Sequence, residues 1–147
     1  MDTGNRVRIL IAEDHPLLRQ GLTTLLSLYA DLDVCAQAGN GCEAVEQFRM
    51  HNPDVVLTDL RLAPINGMTT LQAIRAEYPN ACAVAMTTLP NKQLIAQALA
   101  DGAVACWLKT SPLTDLIAII RALEVAKAKG APGPAHTNLQ RGLDHRI

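Results

Sequence analysis

VRILIAEDHPLLRQGLTTLL, from Val7 to Leu26, is the stretch on which the fold turns. Val7 to Ala12 is aliphatic and β-branched with no breaker, and it runs straight into the acidic pair Glu13-Asp14. A run of this kind, apolar on both faces, belongs inside a parallel sheet. Asp14-His15-Pro16 then opens a helix, with the proline in the first turn, where its missing N–H costs nothing. Leu18, Leu22, Leu25, Leu26 and Tyr29 follow at helical spacing and are expected to form one inward face. The unit is a strand followed by a helix, with two carboxylates at the junction.

The same unit recurs four more times. Leu32 to Ala38 reads as a second strand, and Asn40 with Glu43 forms a capping-box pattern before a helix carrying Ala44, Val45 and Phe48 inward. Pro53 stops that helix, and Asp54 to Asp59 is a third strand. Ala63 to Gly67 is a loop by its turn chemistry, after which Met68, Leu71, Ile74 and Tyr78 mark a third helix ended by Pro79. Ala81 to Thr87 is a fourth strand. Asn91 caps a fourth helix with Leu94, Ile95, Ala98 and Leu99 inward, and Gly102 closes it. Ala103 to Leu108 is a fifth strand. Ser111-Pro112 then caps a fifth helix through Leu113, Leu116, Ile117, Ile120 and Leu123; with Ile119 added to that buried set, the helix is so apolar that it is expected to expose an apolar strip suited to a partner. Strict alternation of this kind predicts an α/β fold, a parallel sheet wrapped by helices on both faces. The periodicity ends near Ala128. Residues 1–128 form the expected domain, and 129–147, opening on the breaker-rich Lys129-Gly130-Ala131-Pro132-Gly133-Pro134, is expected to be a flexible tail or the start of a linker.

Composition narrows the class. With 147 residues, 49% of them apolar, the chain can bury one full core. Aromatics are 3%, so that core is aliphatic. Thirteen basic against fourteen acidic residues give a net charge of −1, which argues against a basic nucleic-acid surface. No apolar run reaches the roughly 18 residues of a membrane span, and the polar start, Met1 to Arg8, lacks a signal peptide's apolar stretch. Cys35, Cys42, Cys82 and Cys106 include no C-x-x-C pair, so they are expected to be buried free thiols of a cytoplasmic protein rather than a zinc site.

Ligands of an open parallel sheet bind at the carboxyl ends of its strands. There the sequence places Glu13-Asp14, Asp59, Thr87 and Lys109. Taken singly, each has a plain structural explanation: Asp14 as a helix cap, Thr87 as a β-former, Lys109 as a solvated charge. Together they are a cluster. Two carboxylates about 4 Å apart repel by roughly 4 kcal/mol at an effective dielectric of 20, so three need a cation. Oxygen ligands with room for water and phosphate suit Mg²⁺.

With Glu13-Asp14, the run D-L-R-L-A-P-I-N-G from Asp59 to Gly67, Thr87 and Lys109 in this order, the chain resembles a bacterial response-regulator receiver domain over about residues 6–128. D-H-P-L-L-R-Q-G-L from Asp14 to Leu22 is similar to the NarL/FixJ, or LuxR-type, subfamily. The resemblance implies a doubly wound, flavodoxin-like (β/α)5 sheet in strand order 2-1-3-4-5. It implies that Asp59 accepts a phosphoryl group from a sensor histidine kinase. It assigns Mg²⁺ to Asp14, Asp59 and the backbone carbonyl of Arg61, with Glu13 acting through a metal-bound water. Lys109 would pair with Asp59 at rest and with phosphoryl oxygens afterwards, and the Thr87 hydroxyl would donate to a phosphoryl oxygen. Arg61 and Leu89, each two places beyond a site residue, would flank the approach of hydrolytic water. The expected protein is a phosphoacceptor switch rather than an enzyme, with weak self-phosphorylation and self-dephosphorylation. It is expected to form a homodimer on phosphorylation, through helix five with helix one or helix four, and to reach DNA only through a helix-turn-helix domain absent from this chain.

Three positions depart from the family pattern. Ala63 stands where a proline is usual, with Pro64 next. Thr110 stands where proline often follows the lysine. Cys106 takes the place of the strand-five aromatic, with Trp107 adjacent. Two rival functions are weaker. A degenerate or stand-alone receiver acting only as a protein-interaction module would not need all five polar positions. A flavodoxin-like carrier or small hydrolase would need a hydroxyl-rich phosphate loop or a longer chain, whereas Glu13-Asp14-His15-Pro16 repels phosphate unless a cation is present.

Overall fold

The computed structural model describes residues 6–61 and 67–128. The expected loop at Ala63, Pro64, Ile65 and Asn66 and the expected tail over 129–147 lie outside them. Five strands and five helices alternate: β1 (Val7–Ala12), α1 (Pro16–Leu26), β2 (Leu32–Ala38), α2 (Gly41–His51), β3 (Val55–Asp59), α3 (Gly67–Glu77), β4 (Ala83–Thr87), α4 (Lys92–Ala100), β5 (Ala105–Leu108) and α5 (Leu113–Ala128). All pairings are parallel, in the order β2-β1-β3-β4-β5, as expected.

Alternation along each strand divides the core in two. Leu10, Ala12, Val56, Ala83, Ala85 and Cys106 face one side, where α2, α3 and α4 pack through Phe48, Leu71, Ile74 and Ile95. Ile9, Ile11, Leu57, Val84, Met86 and Trp107 face the other, against Leu22 and Leu26 of α1 and Leu116, Ile117, Ile120 and Leu123 of α5. Every residue of β3, β4 and β5 is buried, which is why these strands read as continuous apolar runs.

The helix ends follow local chemistry. Asn40 Oδ1 accepts from the Glu43 amide at 2.8 Å, while Glu43 Oε1 reaches back to the Gly39 amide at 2.7 Å, one residue before the cap. Asn91 accepts from the amides of Gln93 and Leu94. Gly102, at φ +120°, closes α4 in a conformation that side chains rarely adopt.

Several expectations are corrected. Leu25 is 46% exposed, because the buried stripe of α1 centres on Leu22 and Leu26, and at about 100° per residue Leu25 falls on its edge. Ile119 is buried, as expected, but α5 lacks the expected exposed apolar strip: among the described residues Val125 is its one exposed large apolar residue. α5 begins at Leu113 rather than Pro112, whose carbonyl accepts from the Asp115 amide and from Trp107 Nε1. β3 begins at Val55 because the Asp54 carboxylate accepts from the Arg8 amide. Cys42 is exposed near the start of α2, and Cys35 and Cys82 are half-buried, leaving Cys106 as the fully buried thiol. Among the described residues no helix is long and apolar enough to cross a membrane.

Burial pushes the Cys82 thiol up to about 11 and the Cys106 thiol up to about 12, because an apolar surrounding disfavours the thiolate. A thiol reagent at pH 8 should therefore modify Cys42 rapidly in the native protein and Cys106 only after denaturation. Mass mapping of the labelled peptides checks this. Because both folded values are raised, the stability these thiols contribute is complete below the ordinary value of 9.0 and is lost as pH climbs towards 12.

Candidate phosphoacceptor site

Strand register assembles the site. Ala12 pairs with Thr58, so Glu13 and Asp59 come next on adjacent strands. Asp59 pairs with Met86, so Thr87 follows, and Thr87 pairs with Leu108, so Lys109 follows. The order 2-1-3-4-5 reverses direction at β1 and β3, and a ligand crevice opens at such a switch point. A cleft of about 460 Å³ lies there, lined by Glu13, Asp14, His15, Leu18, Asp59, Arg61, Thr87, Thr88 and Lys109.

Lys109 sits between two carboxylates. Its Nζ donates to Glu13 Oε1 at 2.6 Å and to Asp59 Oδ2 at 2.8 Å. The side chains are 9% exposed for Lys109, 1% for Glu13 and 9% for Asp59. The second oxygen of each acid is held by backbone: Glu13 Oε2 accepts from the His15 amide at 3.1 Å, and Asp59 Oδ1 from the Arg61 amide at 3.0 Å. Burial raises the Glu13 pKa, against the lowering effect of Lys109. Burial alone would lower Lys109, but its bonds to Asp59 and Glu13 outweigh that and raise it. The ammonium is therefore a fixed positive charge.

Asp14 is exposed, and the capping role that could have explained it goes to His15, whose Nδ1 accepts from the Leu18 amide. Thr87 is 2% exposed, and its Oγ1 accepts from the Leu89 amide at 3.1 Å. That leaves its own O–H to donate into the cleft. Glu13, Asp14 and Asp59 each bring a carboxylate oxygen within 4.8 Å of the others. When ionised, three carboxylates against one ammonium leave two negative charges, and an all-oxygen donor set suits a divalent cation such as Mg²⁺.

All six site residues named from sequence meet at this cleft. His15, Leu18 and Thr88 were missed. Leu18 looked like core by periodicity, and Thr88 enters because the chain turns at the Thr87–Leu89 bond. Leu89 does not line the cleft, so of the two residues expected to flank a water path only Arg61 does. At the departing position, Cys106 packs towards α3 and α4 while Trp107 faces α1 and α5.

A doubly wound sheet with an acidic cluster and a lysine at its switch point has the arrangement expected of a receiver domain. The family model described as the response regulator receiver domain matches residues 9–121, and the chain belongs to that family. It is 39% identical over 103 residues to the transcriptional regulatory protein LnrK of Bacillus subtilis, covering 70% of this chain and 47% of that protein. It is 31% identical over 116 residues to the oxygen regulatory protein NreC of Staphylococcus epidermidis, covering 78% and 53%. The chain thus spans about half the length of the curated relatives it matches. Among solved structures, a two-component response regulator of the LuxR family from Aurantimonas superposes with a TM-score of 0.79 at 26% identity, covering 91% of this chain and 94% of that one. The CheX-CheY-BeF3-Mg²⁺ complex of Borrelia burgdorferi superposes at 0.73 with 25% identity, covering 86% and 92%. This chain is therefore a receiver domain of the two-component response regulators, of the NarL/LuxR type.

The ion pairs are buried enough to matter for stability. Lys109→Ala leaves two carboxylates without their cation and should lower unfolding free energy by about 3 kcal/mol. Adding Glu13→Gln to it should recover part of that loss. Urea denaturation of the single and double variants measures both, and an unchanged midpoint in Lys109→Ala would show that the triad is solvated.

Proposed function

We propose that Asp59 is the phosphoacceptor and that the domain is switched by its phosphorylation from a sensor histidine kinase. The observation that supports this most is the resting state of Asp59: a nearly buried carboxylate at a strand end, its two oxygens held by Lys109 and by the Arg61 amide. Asp54, the nearest alternative in sequence, precedes the strand at the opposite edge of the sheet and is tied to the Arg8 amide and to Lys127.

One Asp59 oxygen attacks phosphorus in line as the bond to the donor's imidazole nitrogen breaks, and the bonding pair leaves with the imidazole. Phosphoryl transfer of this kind needs positioning and charge neutralisation more than covalent help. Lys109 moves its hydrogen bond from Asp59 to a phosphoryl oxygen, and Thr87 donates its O–H to another. Mg²⁺, when bound, would supply the remaining positive charge that the transferred group needs. Asp14 and Asp59 would hold it with the Arg61 carbonyl, and Glu13, whose two oxygens are already engaged, would act through a bound water.

The added charge then biases the turn after β4 through Thr87, whose hydroxyl oxygen already accepts from Leu89. Weak self-phosphorylation from small donors and slow self-hydrolysis follow from the same site. In this reading residues 1–128 form the receiver, which acts in the cytoplasm. The name of LnrK, a transcriptional regulatory protein, supports an output in transcription, reached through a DNA-binding domain outside this chain. The named contents of the Borrelia complex, BeF3 and Mg²⁺, support the same chemistry. Phosphorylation-dependent homodimerisation remains part of this reading.

Incubation with acetyl phosphate and Mg²⁺ should add one phosphoryl group to the wild type and none to Asp59→Asn, read by intact mass. Full labelling of the variant would place the acceptor elsewhere. In calorimetric titration, Asp14→Ala should weaken Mg²⁺ binding by tenfold or more (about 1.4 kcal/mol), and Glu13→Gln by clearly less. The reverse order would exchange the roles of the two acids.

A further inference from the structure

Gly67 opens α3 directly against the peptide that carries Asp59. A Cβ built on Gly67 would lie 2.0 Å from the Asp59 carbonyl oxygen, 2.9 Å from its carbonyl carbon and 3.0 Å from Leu60 Cα. These are backbone atoms of a buried strand end, with no flexible side chain to swing away. The Gly67 amide also donates to the Leu60 carbonyl at 3.2 Å. Space demands glycine here, because the atoms a side chain would meet are backbone.

We propose that Gly67 is a positioning residue for phosphoryl transfer: its bare Cα lets the start of α3 rest on the Asp59–Leu60 peptide and so sets where residues 59–61 sit in the cleft. The inference deepens the reading of Asp59 as the acceptor and rests on it. A methyl group at position 67 must open the gap to the Asp59 carbonyl by roughly 1.4 Å to reach ordinary van der Waals contact. The peptide can yield only with its neighbours. Asp59 Oδ1 is bonded to the Arg61 amide, so movement of the peptide moves the acceptor carboxylate and the Arg61 carbonyl together. A misplacement of about 1 Å can cost on the order of 100-fold in rate.

The test compares Gly67→Ala with two controls in the full chain. Gly21→Ala adds a methyl on α1 where nothing lies within 4 Å. Ile74→Val trims the core on the same buried face two turns further along α3 and controls for lost stability. Three readouts are taken on each: the Mg²⁺ dissociation constant with the metal alone, the maximal phosphorylation rate at saturating acetyl phosphate, and the amide proton shift of Arg61, which reports its bond to Asp59 Oδ1. Gly67→Ala should fold, weaken Mg²⁺ binding several-fold, cut the maximal rate by one to two orders of magnitude and move the Arg61 amide, while both controls match the wild type. Wild-type values in Gly67→Ala, or losses no larger than those of Ile74→Val, would overturn the proposal. A Gly67→Ala chain that does not fold would overturn it too, since the glycine would then serve packing alone. If the wild type is not phosphorylated on Asp59, the acceptor reading fails on its own, and the Arg61 shift and Mg²⁺ affinity still decide the role of Gly67.

Discussion

One ammonium group reconciles two acids that the fold forces together. Strand register puts Glu13 and Asp59 side by side at the switch point of the sheet, nearly out of water. Without Lys109 between them, their mutual repulsion would oppose the packing of β1 against β3. The lysine comes from β5, at the end of the sheet remote from β1, and reaches both acids in a single pair of bonds. The site is therefore a property of the whole sheet: shifting the register of β3, β4 or β5 by one residue would turn the acceptor, the hydroxyl or the lysine to the wrong face.

This arrangement sets what the site can do. Its excess negative charge favours a small divalent cation, and a phosphoryl group arriving on Asp59 would replace one carboxylate charge with an acyl phosphate carrying close to two, a net gain of about one. Lys109 is already poised to follow that charge, and Thr87 is poised to donate its proton. Both side chains are anchored to elements that continue into the turns before α4 and α5, so a change at Asp59 has a short covalent route to the surface. The same charge balance explains why Glu13 and Asp14, although adjacent, differ: one is buried with both oxygens bonded, and the other is open to the cleft.

Much of this was legible in the sequence because each signal was physical and repeated. Five apolar runs, four of them ending in carboxylates, a hydroxyl or an amine, named the sheet, its direction and the residues of the cleft. What escaped notice was set by geometry finer than spacing. Periodicity put Leu25 inside and gave α5 an exposed apolar strip, whereas Leu25 falls at the edge of the α1 stripe and the apolar residues of α5, Ile119 included, nearly all turn to the core. Leu18 read as core because its position fits the α1 stripe, yet it also reaches the rim of the cleft. Thr88 became visible only through the turn that Thr87 makes with Leu89. No spacing argument could have shown that Lys109 binds Glu13 as well as Asp59, or that Gly67 touches the Asp59 peptide, because both contacts join residues distant in sequence or separated by a loop.

The central claim is that Asp59 is the acceptor, with Lys109 passing from carboxylate to phosphoryl group. A crystal structure of the chain grown with Mg²⁺ and beryllium fluoride tests it most directly. The account predicts beryllium bonded to an Asp59 oxygen, Lys109 Nζ on a fluorine and released from Asp59, the Thr87 hydroxyl on a second fluorine, and Mg²⁺ beside Asp14. Beryllium fluoride on another carboxylate, or Lys109 still bonded to both Glu13 and Asp59 beside it, would contradict the account.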